Sequence, residues 1–225
     1  MKRNKKMELD KVIEQRQSIR KYEPCDIPRD DLEAMVKAAG MAPSANNDQN
    51  WHFVAINNKE VIKKIADISR AKWQETFDRL TAVNEEKGRM MSKFSRHFFF
   101  FYEDASAIVL AYSNEIENKT KDILTDLGED EEVIRDFYYR RNNAMQNVGA
   151  ALENLTLKAI DLGYGSCWLS APVYTSNEID AYLKEEHGFD PGEKFLVAVL
   201  SIGKPAPGAR SPKKKPLEEI LTVIS

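Results

Sequence analysis

The sequence predicts one α+β domain built from layers of helices and strands. Segments with apolar residues at helical spacing alternate with short, almost wholly apolar runs such as residues 105–113 and 195–203. The chain has 225 residues, enough for one sizeable core and few for two domains. It contains no internal repeat, so we expect a single layered domain over residues 1–225.

Composition and charge exclude several classes of protein. Apolar residues make up 42% and charged residues 31%, a balance typical of a soluble globular protein. The net charge is -3 and lysines are interleaved with acids, so nucleic acid is not an expected partner. The basic start of the chain leads into acidic residues, and no apolar run approaches the ~20 residues of a membrane span. We therefore expect a cytoplasmic protein without a membrane partner.

Apolar spacing places the secondary structure in order. Helices are predicted over residues 8–17, between Pro28 and Gly40, around 61–68, over 131–162 and over 177–186. Buried strands are predicted over residues 51–56, 105–113, 166–170 and 195–203. The long helix should end at Gly163, and Thr175 with Glu178 resembles a capping box. Residues 70–102 lose clear periodicity but keep many aromatic side chains, so we expect a helical excursion or a lid there.

Two of four polar segments precede the first strand or lead into it. The basic turn, residues 16–20, places two arginines and a serine where a helix ends, and these groups can surround a phosphate. A solvated basic turn is the alternative. The carboxamide loop, residues 42–51 ("APSANNDQNW"), offers uncharged donors and acceptors suited to the edge of a heterocycle. An ordinary Asx-type loop is the alternative.

The other two polar segments lie in the second half of the chain. The glycine turn, residues 163–170 ("GYGSCWLS"), is not a dinucleotide fingerprint, because Trp168 stands where glycine is needed and the segment precedes a strand. Core packing of its tryptophan is the alternative to a binding role. The lysine segment, residues 211–216 ("SPKKKP"), holds three ammonium groups between prolines that restrict the chain. A solvated tail is the alternative.

Neither the histidines nor the cysteines form a recognisable catalytic or metal site. His52, His97 and His187 stand in no Ser/His/Asp or Cys/His arrangement, and His52 alone is close to a polar segment. Cys25 and Cys167 are far apart and lack metal-ligand spacing. We expect free thiols, no metal and no catalytic side chain.

Taken together and in this order, the four polar segments resemble those of the FMN-dependent nitroreductase family. The resemblance covers nearly the whole chain and is weakest over residues 70–102. It implies a three-layer α/β/α fold with a central, mainly antiparallel sheet and a long central helix. It also implies a homodimer with FMN at the interface, in which the C-terminal segment "LEEILTVIS" extends onto the partner subunit. A local edge strand is the alternative for that segment.

The resemblance assigns cofactor-binding residues position by position. The basic turn and the lysine segment would hold the flavin phosphate, while the other two segments border the ribityl chain and the ring. The residues assigned to FMN are Arg16, Gln17, Ser18, Arg20, Pro43, Ser44, Asn47, Gln49, Cys167, Trp168, Leu169, Lys213, Lys214 and Lys215. Lys214 matches the family's phosphate-binding arginine most closely. Asn50 replaces a usual proline, so we expect a less rigid loop that Asn50→Pro would stiffen for tighter FMN binding.

The implied activity is oxidoreduction by a ping-pong mechanism. NADH or NADPH would reduce the flavin, which would then reduce a nitroaromatic, a quinone or a similar small acceptor. Two alternatives stay open. One is a specialised flavin chemistry, reductive dehalogenation or flavin fragmentation, with residues 70–102 selecting the substrate. The other is a flavin-binding protein without turnover.

Overall fold

The core of the molecule is a five-stranded antiparallel sheet. The structure, a computed structural model, describes residues 8–116, 119–140, 142–209 and 212–224. Its strands are β1 (Tyr22–Glu23), β2 (Trp51–Ile56), β3 (Ala107–Ser113), β4 (Gly165–Leu169) and β5 (Phe195–Pro205). Each pairing among them is antiparallel, with β3 between β2 and β5. The predicted sheet is confirmed, and β1 is a short addition that apolar patterning did not reveal.

The length of β5 gives it two neighbours along one edge. β4 pairs with Val199–Gly203, and β1 pairs with Lys204 and Pro205. The predicted strand over residues 51–56 is confirmed as β2, but it lies at the opposite edge and is only partly buried, so the expected burial is wrong. An edge strand pairs with a neighbouring strand on one side only, and its other side is left open. Trp51 and Phe53 of β2 are accordingly only partly buried.

Helices cover both faces of the sheet. In the described part of the chain they are α1 (Leu9–Gln15), α2 (Arg29–Ala39), α3 (Lys59–Val83), α4 (Glu85–Phe98), α5 (Lys119–Asp126), α6 (Glu131–Arg140), α7 (Asn143–Asp161) and α8 (Ser176–His187). Because side chains of a strand alternate between faces, Val109 packs against α2 and α7, whereas Ile108 and Leu110 pack against α3 and α8. This arrangement is the predicted three-layer α/β/α fold.

The predicted long helix over residues 131–162 is divided in two. α6 ends at Arg140, and the side chain of Asn142 accepts a hydrogen bond from the Met145 backbone N–H at 3.1 Å to begin α7. Apolar spacing did not reveal the break, because helical periodicity is present on both sides of it. α7 ends as predicted: Gly163 adopts φ 91°, and the Tyr164 N–H donates to the Ala159 carbonyl at 2.9 Å.

Residues 70–102 are mostly helical. α3 continues to Val83, and Asn84 then caps α4 by accepting a hydrogen bond from the Lys87 N–H. Trp73 of α3 packs its ring 4.5 Å from that of Tyr174 and donates from Nε1 to the Ala171 carbonyl at 3.1 Å. The α3–α4 pair is therefore attached to the segment that follows β4. Its role as a lid stays a prediction.

The predicted first helix is confirmed as α1, in which Val12 is buried while Leu9 and Ile13 are exposed within the described residues. The expected capping box is wrong. Thr175 precedes α8 without capping it. Its Oγ1 instead donates to the Pro172 carbonyl and bonds the Ser69 hydroxyl at 2.8 Å, because burial brings that serine within reach.

The C-terminal segment lies on the surface. Residues 212–224 are exposed and contain one short 3-10 turn, Leu217–Glu219, and no strand. Its apolar side chains face solvent, with exposed fractions from 51% at Leu221 to 94% at Ile224. The local edge strand is therefore not formed by these residues, and the extension onto a partner subunit stays a prediction. Among the described helices, none is long and apolar enough to cross a membrane.

Candidate functional site

The basic turn lies directly beside the glycine turn. The Ile19 N–H donates to the Ser166 carbonyl at 2.8 Å, and Ser18 forms an isolated parallel bridge with Ser166. This close approach depends on Gly165, where a Cβ would stand 2.6 Å from Cγ1 of Ile19. Of the predicted phosphate ligands, Arg16, Gln17 and Ser18 are half-buried and Arg20 is exposed. Two segments that are distant in sequence therefore form one polar surface at the edge of β4.

The pKa of the Cys167 thiol is affected by the positive charges of the basic turn. Cys167 is free and buried, and burial raises the pKa of its thiol. The positive charge of Arg20, a hydrogen bond with the Ser18 side chain and the charge of Arg16 each oppose that rise in pKa. The bridge between Ser18 and Ser166 places Cys167 directly beside the basic turn.

Trp168 points to the opposite side of β4. Its side chain is 45% exposed, whereas Cys167 and Leu169 are buried, as the alternation of a strand requires. The edge of the indole lies against α7, since a Cβ at Gly149 would be 3.8 Å from Cη2 of Trp168. Trp168 is therefore only partly packed against the protein, and its role in binding a ligand stays a prediction.

The tip of the carboxamide loop is exposed and bent. Asn46, Asn47 and Gln49 have φ angles of 54°, 59° and 44°, a left-handed conformation that asparagine tolerates better than glutamine. Ser44 is half-buried, and its Oγ accepts a hydrogen bond from the Gln49 N–H at 3.1 Å, while Pro43 is exposed. The exposed carboxamides are free of charge and face solvent, as the predicted binding role requires.

Asn50 is a buried anchor of the carboxamide loop. Its Nδ2 donates to Oγ of Ser113 at 2.7 Å and to the Ala144 carbonyl at 3.3 Å. Its Oδ1 accepts from Nδ2 of Asn147 at 2.8 Å. These hydrogen bonds restrain the chain where the family has proline, and the expectation of a less rigid loop stays a prediction.

Helix α7 connects the basic turn, the carboxamide loop and the glycine turn. Asn147 bonds the carboxamide loop, Gly149 lies under Trp168, and Oε1 of Glu153 is 3.9 Å from Nε of Arg16. Six residues of α-helix span about 9 Å, so the three contacts lie within a short length of α7. They do not share one face, because Asn147 lies on the buried side of α7 and Glu153 on its exposed side. Sequence reasoning missed Asn147 and Glu153. A signal existed for Asn147, which occupies the apolar stripe of α7 between Ala144 and Ala151.

The lysine segment is not brought to this surface. Lys213, Lys214 and Lys215 are exposed, and Lys215 lies 3.9 Å from the Glu219 carboxylate. Among the described residues, no ion pair or hydrogen bond joins these lysines to the basic turn. Their assignment to a phosphate stays a prediction.

The histidines contribute nothing to this surface in the described part of the molecule. His52 stacks on Phe189 with ring centroids 5.7 Å apart, and His187 bonds the Tyr182 hydroxyl. The side chain of His97 lies outside the described part. Over the residues described, no group of three His, Cys, Asp or Glu side chains is placed to hold a metal ion.

The protein thus has an antiparallel sheet between helical layers, with arginines and carboxamides in the segments around it. Comparison with known protein families identifies the class to which this arrangement belongs. The model of the Nitroreductase family matches residues 13–204. The chain belongs to the nitroreductase family, and it is an oxidoreductase of that kind.

Individual relatives agree with this assignment. A protein of Archaeoglobus fulgidus that bears the name NADH dehydrogenase/NAD(P)H nitroreductase is 30% identical over 87% of this chain and 84% of its own length. A BluB-like flavoprotein from Clostridium difficile is 43% identical, with a TM-score of 0.92 over 97% of this chain and 100% of that one. A nitroreductase with bound FMN from Bacteroides fragilis shares the fold at 23% identity and TM-score 0.69, over 97% and 100%. Iodotyrosine deiodinases also match nearly the whole chain, at 20% to 24% identity.

Proposed function

We propose that the surface formed by the basic turn, the carboxamide loop and the glycine turn binds FMN. The observation that carries this proposal is that all three segments contact α7 and that the basic turn and the glycine turn meet at the edge of β4. Their donor chemistry fits the cofactor: Arg16, Ser18 and Arg20 suit a phosphate, and exposed carboxamides suit a polar heterocycle and its hydroxyl chain. The flavoprotein that is 43% identical supports the same reading.

The protein's part in the reaction is to bind and orient the cofactor. When bound, FMN would supply the redox chemistry, with NADH or NADPH as the reductant and a small molecule such as a nitroaromatic or a quinone as the electron acceptor. Arg16 and Arg20 would neutralise the phosphate charge, and Ser44, Asn47 and Gln49 would hydrogen-bond the flavin from the carboxamide loop. Backbone groups of Cys167, Trp168 and Leu169 would border the ring. No side chain of the chain is assigned as a catalytic acid, base or nucleophile.

The lysine segment and the C-terminal apolar residues are proposed to function in a homodimer. A run of apolar side chains exposed to solvent costs free energy that burial against a second copy would recover. The lysines just before it would then lie near the partner's bound phosphate. A truncation after Lys215 should yield a monomer in sedimentation analysis and lower FMN affinity. A dimer of unchanged affinity would contradict this role.

Reductive dehalogenation is a second candidate activity. Two observations favour it: iodotyrosine deiodinases match nearly the whole chain, and the aromatic side of the α3–α4 pair packs on the segment after β4. A substrate selected there would lie beside the glycine turn. Assaying a nitroaromatic, a quinone and a halogenated phenol in parallel separates the two activities, and reduction of none of them would favour a flavin-binding protein without turnover.

One experiment tests the cofactor and the activity together. Purified protein should show a flavin absorption band, bind FMN after stripping, and lose the band when mixed anaerobically with NADH or NADPH. Arg16→Ala/Arg20→Ala should weaken FMN binding at least tenfold, because two charge-assisted hydrogen-bonding groups are lost. Arg89→Ala is the matched control, since Arg89 lies on α4 and pairs with Glu85. A wild-type protein that takes up no flavin would overturn the proposal.

A further inference from the structure

One buried side chain holds both ends of the exposed tip of the carboxamide loop. Oδ1 of Asn147 accepts a hydrogen bond from the Ala45 N–H at 3.0 Å, and Nδ2 of Asn147 donates to Oδ1 of Asn50 at 2.8 Å. Asn147 is only 6% exposed. The exposed tip of the loop, residues 46–49, lies between these two contacts. A single planar carboxamide therefore fixes the separation of the two ends of the tip.

The second contact is supported by a buried polar network. Asn50 donates from Nδ2 to Ser113 and to the Ala144 carbonyl, and the main-chain carbonyl of Asn50 accepts from the Asn114 N–H at 3.0 Å. In the described chain, no buried side-chain nitrogen or oxygen lacks a hydrogen-bond partner. Buried hydrogen bonds are strengthened by the low local dielectric, and removing one partner leaves the other unsatisfied. The loop is thus tied to α7 and to the end of β3.

The conformation of the tip explains why such an anchor is needed. Asn46, Asn47 and Gln49 all have positive φ, which is unfavourable for residues other than glycine. Within the loop, Ser44 supplies a side-chain acceptor for the Gln49 N–H. Strained backbone persists only where the surroundings over-determine it, and Asn147 supplies that restraint from outside the loop.

We propose that Asn147 is a positioning residue for the cofactor site, an inference that rests on the FMN-binding surface proposed above. Asn147 acts through the carboxamide loop: by holding Ala45 and Asn50 it sets where Asn47 and Gln49 present their carboxamides. Only a carboxamide supplies an acceptor and a donor on one short planar group. Aspartate keeps the acceptor for Ala45 and loses the donor to Asn50, and leucine loses both.

The matched control is on the same helix. Asn154 of α7 is partly buried and donates from Nδ2 to the Ala38 carbonyl at 3.3 Å, a contact with α2 rather than with the loop. Asn147→Leu and Asn154→Leu therefore make the same chemical change at two positions of α7. Both should lower the unfolding temperature, so thermal stability alone does not distinguish a positioning role from a structural one.

Two measurements distinguish the roles. In the apoprotein, amide hydrogen exchange at Ala45 and over residues 46–50 should accelerate at least tenfold in Asn147→Leu and remain within twofold in Asn154→Leu. In the flavin-loaded protein, Asn147→Leu should lower FMN affinity at least tenfold and shift the flavin absorption band. The FMN affinity of Asn154→Leu should stay within twofold of wild type. Asn147→Asp, which keeps the volume of the side chain, should give an intermediate loss and serves if the leucine variant does not fold.

The outcomes separate this inference from the function on which it rests. Unchanged loop exchange in the Asn147 variants would overturn the inference even if the wild-type protein binds FMN. Accelerated exchange with unchanged FMN affinity would also overturn it, because the anchored loop would then not position the cofactor. A wild-type protein without FMN binding would overturn the proposed function, and the positioning role with it, while the exchange data would still show whether Asn147 anchors the loop.

Discussion

Nε of Arg16 lies 3.9 Å from Oε1 of Glu153, and this ion pair joins the basic turn to α7. The arginine side chain is 21% exposed and the glutamate 50%, so solvent screens the interaction. Ion pairs of this kind contribute about 0–1 kcal/mol to stability. The larger effect of Glu153 is on ligand binding, because a carboxylate beside Arg16 lowers the positive potential where we propose that the phosphate binds.

Glu153→Gln should therefore tighten FMN binding. Because Glu153 is half exposed, removal of its charge should change the interaction with an anion by up to about 1 kcal/mol, or about fivefold in affinity. The gain should shrink as ionic strength rises. Titration of stripped protein with FMN at two salt concentrations measures it, with Glu185→Gln on the exposed side of α8 as control. Weaker binding by Glu153→Gln would show that the carboxylate orients Arg16 instead of competing with the ligand.

Arg20→Ala should raise the pKa of the Cys167 thiol further. Burial already raises this pKa, and the positive charge of Arg20 opposes the rise by favouring the thiolate. Loss of that charge leaves less thiolate at any given pH, so the thiol reacts more slowly with an alkylating reagent and its pH profile moves upward. The measurement uses a Cys25→Ser background without flavin. Lys21→Ala is the control, and an unchanged profile in Arg20→Ala would show that the charge of Arg20 does not act on this thiol.

Asn50→Pro should destabilise the protein and weaken FMN binding, contrary to the expectation from the family's proline. Proline removes hydrogen bonds to Ser113, Ala144 and Asn147 and leaves their buried polar groups without those partners. The expected loss is about 2–4 kcal/mol in the free energy of unfolding, measured with urea. Asp48→Ala, in the same loop but exposed, should change stability by less than about 0.5 kcal/mol. Tighter FMN binding by the proline variant would restore the original expectation.

Gly165→Ala should separate the basic turn from β4. The added Cβ would stand 2.6 Å from Cγ1 of Ile19 and 2.8 Å from Cγ of Pro205, so the neighbouring segments of the protein must move. Overpacking of this kind costs about 1–3 kcal/mol, and FMN affinity should fall as Ser18 moves away from Ser166. Gly40→Ala is the matched control, because the nearest atoms to its Cβ are at an ordinary 3.6 Å. Equal stability of the two variants would contradict this account.

The sequence was sufficient for most elements of the fold because their signals are local. Apolar runs identified β3 and β5, and helical spacing identified α2 and the first half of α3, since each depends on residues close together in the chain. Boundaries that depend on a single polar contact were missed. Asn142 divides the predicted long helix through one cap, and Thr175 bonds Ser69, 106 residues away, instead of capping its own helix.

The sequence by itself determined the kinds of groups that the candidate site contains, namely arginines, carboxamides and an aromatic ring in four short segments. Tertiary structure alone decided that three of these segments meet on α7 and that Trp168 is exposed while Cys167 is buried. It also decided that Asn50 is buried and hydrogen-bonded to Ser113, Ala144 and Asn147. The physical reason is that a hydrogen bond such as Asn147 to Asn50 joins residues 97 positions apart. Its existence depends on burial and packing, which no local pattern records.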